Sequence, residues 1–126
     1  MPYEWVDDDS VTDDLCLWRG IPPETLKPVD PNTGEQDFSD AAFRTQKASV
    51  YIIALTTPAE MAAKFPGWRF REFTAGAART IGYIICPDPE IDEVAHRILL
   101  RGDNPGARPG GGWVMRLKKV SRWVDP

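Results

Sequence analysis

The sequence predicts an α+β fold: a single domain with a small mixed β-sheet, packed helices and an amphipathic helix at the C-terminus. Three observations carry this. Residues Ala48-Ser49-Val50-Tyr51-Ile52-Ile53-Ala54-Leu55 form an almost unbroken apolar run rich in β-branched side chains, which suits a strand covered on both faces. That run feeds a helix start, with Thr57 as N-cap, Pro58 at the first helical position and Glu60 placed to close a capping box. On either side, short alternating stretches are interleaved with helical spacing, and no internal repeat occurs.

In chain order, residues 1–14 carry Glu4, Asp7, Asp8, Asp9, Asp13 and Asp14 and no base, which marks an acidic, mobile N-terminal arm. Tyr3, Trp5 and Val6 would anchor its start on the domain formed by residues 15–126. Leu15 to Ile21 reads as the first strand, with Leu15, Leu17 and Arg19 on one side and Cys16 and Trp18 on the other. Pro22-Pro23 stops it, and Pro23 to Leu26 makes one helical turn. Pro28 to Asp40 reads as a loop, with Asp30-Pro31-Asn32-Thr33-Gly34 as its turn chemistry. The central strand is expected over Ser49 to Leu55, with Val50, Ile52 and Ile53 buried.

After the central helix, Pro66-Gly67 breaks the chain, and Trp68 to Thr74 alternates as a strand. Ala75 to Ile81 is a short helix of small residues with Gly82 as its stop. Tyr83 to Cys86 is a short strand cut off by Pro87 and Pro89. An acidic loop, Asp88 to Glu93, precedes a strand from Val94 to Arg101 that carries Val94, His96, Ile98 and Leu100 on one face. Gly102 to Gly112 holds five glycines and two prolines and reads as a flexible loop. Trp113 to Val124 closes the chain as a helix, with Trp113, Leu117, Val120 and Val124 as its apolar stripe and Arg116, Lys119 and Arg122 on another face.

Composition bounds the function. A chain of 126 residues with 42% hydrophobic and 27% charged content makes one domain with a real core. Its apolar runs are too short to span a bilayer, and no leader pattern opens it, so the reading is cytoplasmic with no membrane contact. Cys16 and Cys86 sit in apolar runs and read as buried thiols, not a disulfide. The net charge of −4 is divided: residues 1–42 hold eleven acids and two bases, and residues 43–126 hold eight acids and thirteen bases. An acidic chain argues against nucleic acid as partner, while the second part leaves room for a basic face.

Chemistry-bearing residues are few. His96 is the lone histidine, readable as a general base, a nucleotide contact or a core residue with a satisfied hydrogen bond. A Cys86–His96 pair is not demanded by the spacing, and an apolar strand end raises a thiol's pKa. No metal motif is present, so Asp88, Glu90, Asp92 and Glu93 read as a solvated acidic loop. The glycine-rich loop lacks the Gly-Lys-Ser/Thr ending of a phosphate-binding loop. No catalytic residue, cofactor or metal is assigned.

Two resemblances add to this. Leu17-Trp18-Arg19-Gly20 and Ala48-Ser49-Val50-Tyr51 resemble words of ADP-ribosyltransferase-like enzymes, which place an arginine on the first strand, a serine on a later strand and a glutamate near the end. Arg19 and Ser49 match, but no late Glu-x-Glu or Gln-x-Glu follows; Glu72, Glu90 and Glu93 are the candidates. The second resemblance runs from Leu17-Trp18-Arg19-Gly20-Ile21-Pro22-Pro23 through Ala41-Ala42-Phe43, Ala48-Ser49-Val50-Tyr51, Ala78-Arg79-Thr80-Ile81-Gly82 and Asp88-Pro89 to Ala95-His96. In that order these words resemble a group of small uncharacterised bacterial proteins with no assigned activity, which implies a complete bacterial protein and brings no catalytic residues.

The expected function is a small protein-interaction module: an accessory subunit or an immunity-like partner of a larger protein. Five tryptophans and the divided charge favour contact surfaces, with Arg116, Lys119 and Arg122 as partner-binding residues. The alternative is an ADP-ribosyltransferase-like enzyme or nucleotide binder, which requires Arg19, Ser49 and His96 to meet at one cleft.

Overall fold

The computed structural model describes residues 4–126, so the expected anchor at Tyr3 lies outside the described residues. The chain folds into a six-stranded sheet in the order β6-β7-β4-β1-β5-β8, formed by β1 (Cys16–Ile21), β4 (Ala48–Ile52), β5 (Arg69–Thr74), β6 (Tyr83–Cys86), β7 (His96–Arg101) and β8 (Arg122–Val124). Strands β2 (Leu26–Val29) and β3 (Gln36–Phe38) pair as a separate two-stranded ribbon. Helices are α1 (Pro58–Lys64), α2 (Ala75–Ile81) and α3 (Gly111–Val120). The α+β architecture is the expected one. The sheet was expected to mix parallel and antiparallel pairs, but every pairing is antiparallel, because no strand returns to its neighbour by a parallel crossover.

Strand alternation divides the core. On one face Leu17, Ile21, Val50, Ile52, Phe73 and Ile85 pack with Ala75 and Ala78 of α2 and Val114 and Leu117 of α3. On the other, Trp18, Tyr51, Phe70 and Met61 of α1 form a second cluster flanked by Phe65 and Trp68, and Cys86, Ile98 and Leu100 form a third beside Trp5.

The central strand is shorter than expected. It ends at Ile52, and Ile53–Leu55 turns into a 3-10 helix, which leaves Val50 and Ile52 buried and Ile53 only half-buried. Thr57 caps α1 by accepting from the Glu60 amide, with Pro58 at the first position. The Glu60 carboxylate accepts from Thr56 Oγ1, so the reciprocal half of the capping box is replaced by a neighbouring hydroxyl. Gly82 ends α2 at φ +124°, where its amide donates to the Ala78 and Arg79 carbonyls and the Trp113 ring lies against its Cα.

Two expected elements change. Pro28 to Asp40 holds the end of β2 and all of β3, turned where the Gly34 amide donates to the Asp30 carbonyl. The closing helix stops at Val120, not Val124. Arg71 on β5 donates to the Lys118 and Ser121 carbonyls and to Ser121 Oγ, which ends the helix and lets residues 122–124 pair with β5 as β8.

The described part of the acidic segment, expected from sequence to be a mobile arm, lies along the free edge of β6. The Asp8 amide donates to the Ile85 carbonyl, the Ile85 amide donates to Asp7 Oδ1, and Val11 enters the core at 1% exposure. Asp7 and Asp13 pair with Arg79, and Asp8 pairs with Arg97. The segment thereby covers an edge that would otherwise present unpaired backbone groups.

Candidate functional site

Ser49 lies at the centre of a polar group set into the apolar cluster of Tyr51, Phe65, Phe70 and Trp68. The antiparallel register places Tyr51 opposite His96, so Ser49, two residues back on β4, is the diagonal neighbour of His96 on the same face. His96 Nε2 and Ser49 Oγ are 3.0 Å apart. The imidazole is 2% exposed, edge-on to the Tyr51 ring at 5.4 Å, and its Nδ1 has no hydrogen-bond partner. Burial lowers its pKa below the ordinary 6.5, against the opposing pull of Asp88 and Glu93. The ring is therefore neutral at neutral pH.

Arg19 reaches the same serine from β1. Its Nε donates to the Ala42 carbonyl and one Nη donates to the Ser49 carbonyl, both at 3.0 Å. The register pairs of β1 with β4 are Leu17 with Ile52 and Trp18 with Tyr51. Beyond them the guanidinium, and not a ladder amide, satisfies the Ser49 carbonyl. Among the described residues no carboxylate lies within ion-pair distance of Arg19. Burial pulls its pKa down to about 10, which leaves it charged.

Arg19, Gly20, Ser49, Tyr51, Phe65 and Trp68 line a hollow of about 180 Å³. Gly20 is required there, because a Cβ would stand 2.8 Å from Trp68 Cε3. A glycine inside a strand pattern marks such a close approach, and it is the one sequence signal that could have pointed to this wall. Tyr51, Phe65 and Trp68 carried no signal that separates a ligand wall from ordinary core. The chemistry on offer is a serine hydroxyl, three aromatic faces and Arg19, which leaves β1 on the side of Leu17 and Ile21 and is anchored at the Ala42 and Ser49 carbonyls with donors to spare. No group of three His, Cys, Asp or Glu gathers among the described residues.

The other sequence candidates fall elsewhere. Arg116 and Lys119 are exposed on α3, beside Met115 and Val120, which are 59% and 47% exposed. Arg122 lies on β8 and pairs with Glu72 at 2.9 Å, so the three cations belong to two elements. A wider groove of about 900 Å³ between the ribbon and β5 is lined by Lys27, Asp37, Arg69, Arg71, Lys118 and Trp123, among others. Lys118 is held there by Asp37 and Asp40. Cys16 is half-buried and Cys86 buried, both as free thiols. No helix among the described residues is long and apolar enough to cross a membrane.

No family model matches the chain, and neither a curated protein nor a solved structure matches it.

Proposed function

We propose that this chain binds a small anionic ligand in the hollow over Ser49, the binding branch of the reading that groups Arg19, Ser49 and His96. The observation that carries it is the Arg19 guanidinium: a half-buried cation with no carboxylate at ion-pair distance among the described residues, hydrogen-bonded to the Ser49 carbonyl beside an aromatic-walled hollow. Cations largely withdrawn from solvent are ordinarily paired, so one left without a counter-charge beside a cavity favours a ligand that supplies it. The transferase branch has less support, because no late Glu-x-Glu accompanies the arginine and serine. The test is a fragment screen by protein-observed NMR. The expected hits are anions that shift the Gly20 amide and the Trp68 indole, with the shifts lost in Arg19→Gln. Hits confined to other surfaces would refute the reading.

The protein-interaction reading keeps one specific support, the outward face of α3. Met115 and Val120 expose apolar surface beside Arg116 and Lys119, cations without an ion-pair partner among the described residues. An acidic protein patch is its natural partner, ahead of nucleic acid. Arg116→Glu with Lys119→Glu is expected to abolish capture of that partner, and capture that survives both changes would end this reading. A reducing, cytoplasmic setting accords with the two free thiols.

A further inference from the structure

The hydrogen bond between His96 and Ser49 has two possible directions, and the surroundings of the imidazole choose between them. A neutral imidazole carries one N–H. If that hydrogen were on Nδ1, a donor would be buried with no acceptor, since Nδ1 has no partner. Orphaned buried N–H groups are rarer in folded proteins than under-used acceptors. The hydrogen therefore belongs on Nε2, where Ser49 Oγ accepts it at 3.0 Å. The hydroxyl's own hydrogen is then free to donate elsewhere. His96 acts as a positioning residue, not a base, and Ser49 is a donor, not an activated nucleophile.

The hollow then has one consistent polarity. Of the five guanidinium hydrogens of Arg19, two are committed to the Ala42 and Ser49 carbonyls. The remainder and the Ser49 hydroxyl are all donors. No carboxylate is among the lining residues, and the remaining walls are the Tyr51, Phe65 and Trp68 rings. At about 180 Å³ the space lies below the roughly 300–1,000 Å³ of sites that take drug-sized ligands, so it admits one ring or a short chain. Resting on the proposed binding function, we infer that the ligand is a small organic acid, a carboxylate on a flat or apolar body, whose oxygens take donors from Ser49 Oγ and Arg19 while its body lies against the aromatic walls.

The experiment titrates the full-length protein with benzoate and with benzamide, its uncharged isostere, following the Gly20 amide and the Trp68 indole by NMR. Benzoate is expected to bind about tenfold or more tightly than benzamide, as a charge-assisted hydrogen bond predicts. Ser49→Ala is expected to erase most of that preference and Ser49→Thr to retain it. His96→Gln, which keeps an N–H donor, is expected to preserve the preference better than His96→Phe; a purely structural role would not move this ratio. Equal binding of both compounds at these signals would leave a ligand site standing but overturn the acid assignment. No shift at either signal up to millimolar concentration would overturn the binding function itself. Covalent labelling of Ser49 by a fluorophosphonate would overturn the donor assignment, because it requires a nucleophilic serine.

Discussion

Arg19 and Arg71 face each other across one register pair of β1 and β5, yet they end in different surroundings. Like charges placed directly opposite are unfavourable, and the fold separates the two heads. Arg19 turns toward β4 and the Ala42 and Ser49 carbonyls. Arg71 turns toward α3, donates three hydrogen bonds to Ser121 Oγ and to the Lys118 and Ser121 carbonyls, and lies against the Phe38 and Trp123 rings. Neither has a carboxylate within ion-pair distance among the described residues. The Arg71 groove is nevertheless lined by Asp30, Glu35 and Asp37, whereas no acid lines the hollow at Arg19. Arg71 therefore serves the fold by ending a helix, and the Arg19 side keeps unspent donors. Charge alone does not separate a structural arginine from a binding one; the neighbours of its unused hydrogens do.

Perturbing the two sides separately sharpens this contrast. Phe70 is fully buried against Trp18 and Phe65, behind the aromatic wall near Arg19. Phe70→Ala is expected to cost about 3–5 kcal/mol in urea unfolding, the range for deleting a well-packed aromatic side chain. Gly20→Val drives a side chain into the Trp68 ring and is expected to cost about 1–3 kcal/mol with a change in tryptophan fluorescence. If that fluorescence is unmoved, Trp68 does not cover Gly20. Thr57→Ala removes the cap of α1, whose following residue Phe65 is part of the same wall, and is expected to cost about 0.5–2 kcal/mol.

A smaller effect comes from pH. His96 has a folded pKa below 6.5, so below that value the unfolded chain binds more protons than the folded one. Its contribution is present in full above pH 6.5 and is lost as pH falls through the folded value. Asp88, Glu93, Lys64, Arg97 and Tyr51 surround the ring and set how far down that value lies. Denaturant midpoints measured between about pH 6.5 and pH 5, above the ordinary carboxylate range, are expected to fall in the wild type and to stay level in His96→Gln. The smallest change is expected on the open face of α3. Arg116→Ala and Lys119→Ala should each leave stability within about 0.5 kcal/mol, since neither cation has an ion-pair partner among the described residues.

The elements set by local chemistry were the legible ones. The Thr57 cap, the Gly82 stop and the strands around Trp18, Phe70 and Ile98 follow from residues adjacent in sequence. The closing helix was read too long because Val124 continues the helical spacing by coincidence; sheet pairing, not helix packing, covers it. The β2–β3 ribbon was missed because Lys27, Pro28, Gln36 and Asp37 show no apolar alternation. Distant groups hold it, with Trp123 Nε1 donating to the Gln36 carbonyl and Lys118 to the Phe38 carbonyl. For the site, Arg19, Ser49 and His96 stood out as residue types. Arg19 and Ser49 line the hollow while His96 is buried behind Ser49, an arrangement that depends on the β4–β7 register and on where the β1–β4 ladder ends, tertiary facts that no local pattern encodes.

The central claim is that the buried imidazole donates to Ser49 and so leaves the hydroxyl as a donor toward the hollow. Because His96 is the lone histidine of the chain, a long-range proton–nitrogen correlation spectrum of uniformly nitrogen-15-labelled protein at neutral pH contains a single imidazole pattern. The expected pattern is that of a neutral ring protonated at Nε2, with Nδ1 bare. A ring protonated at Nδ1 would make Ser49 the donor to His96 and contradict the claim.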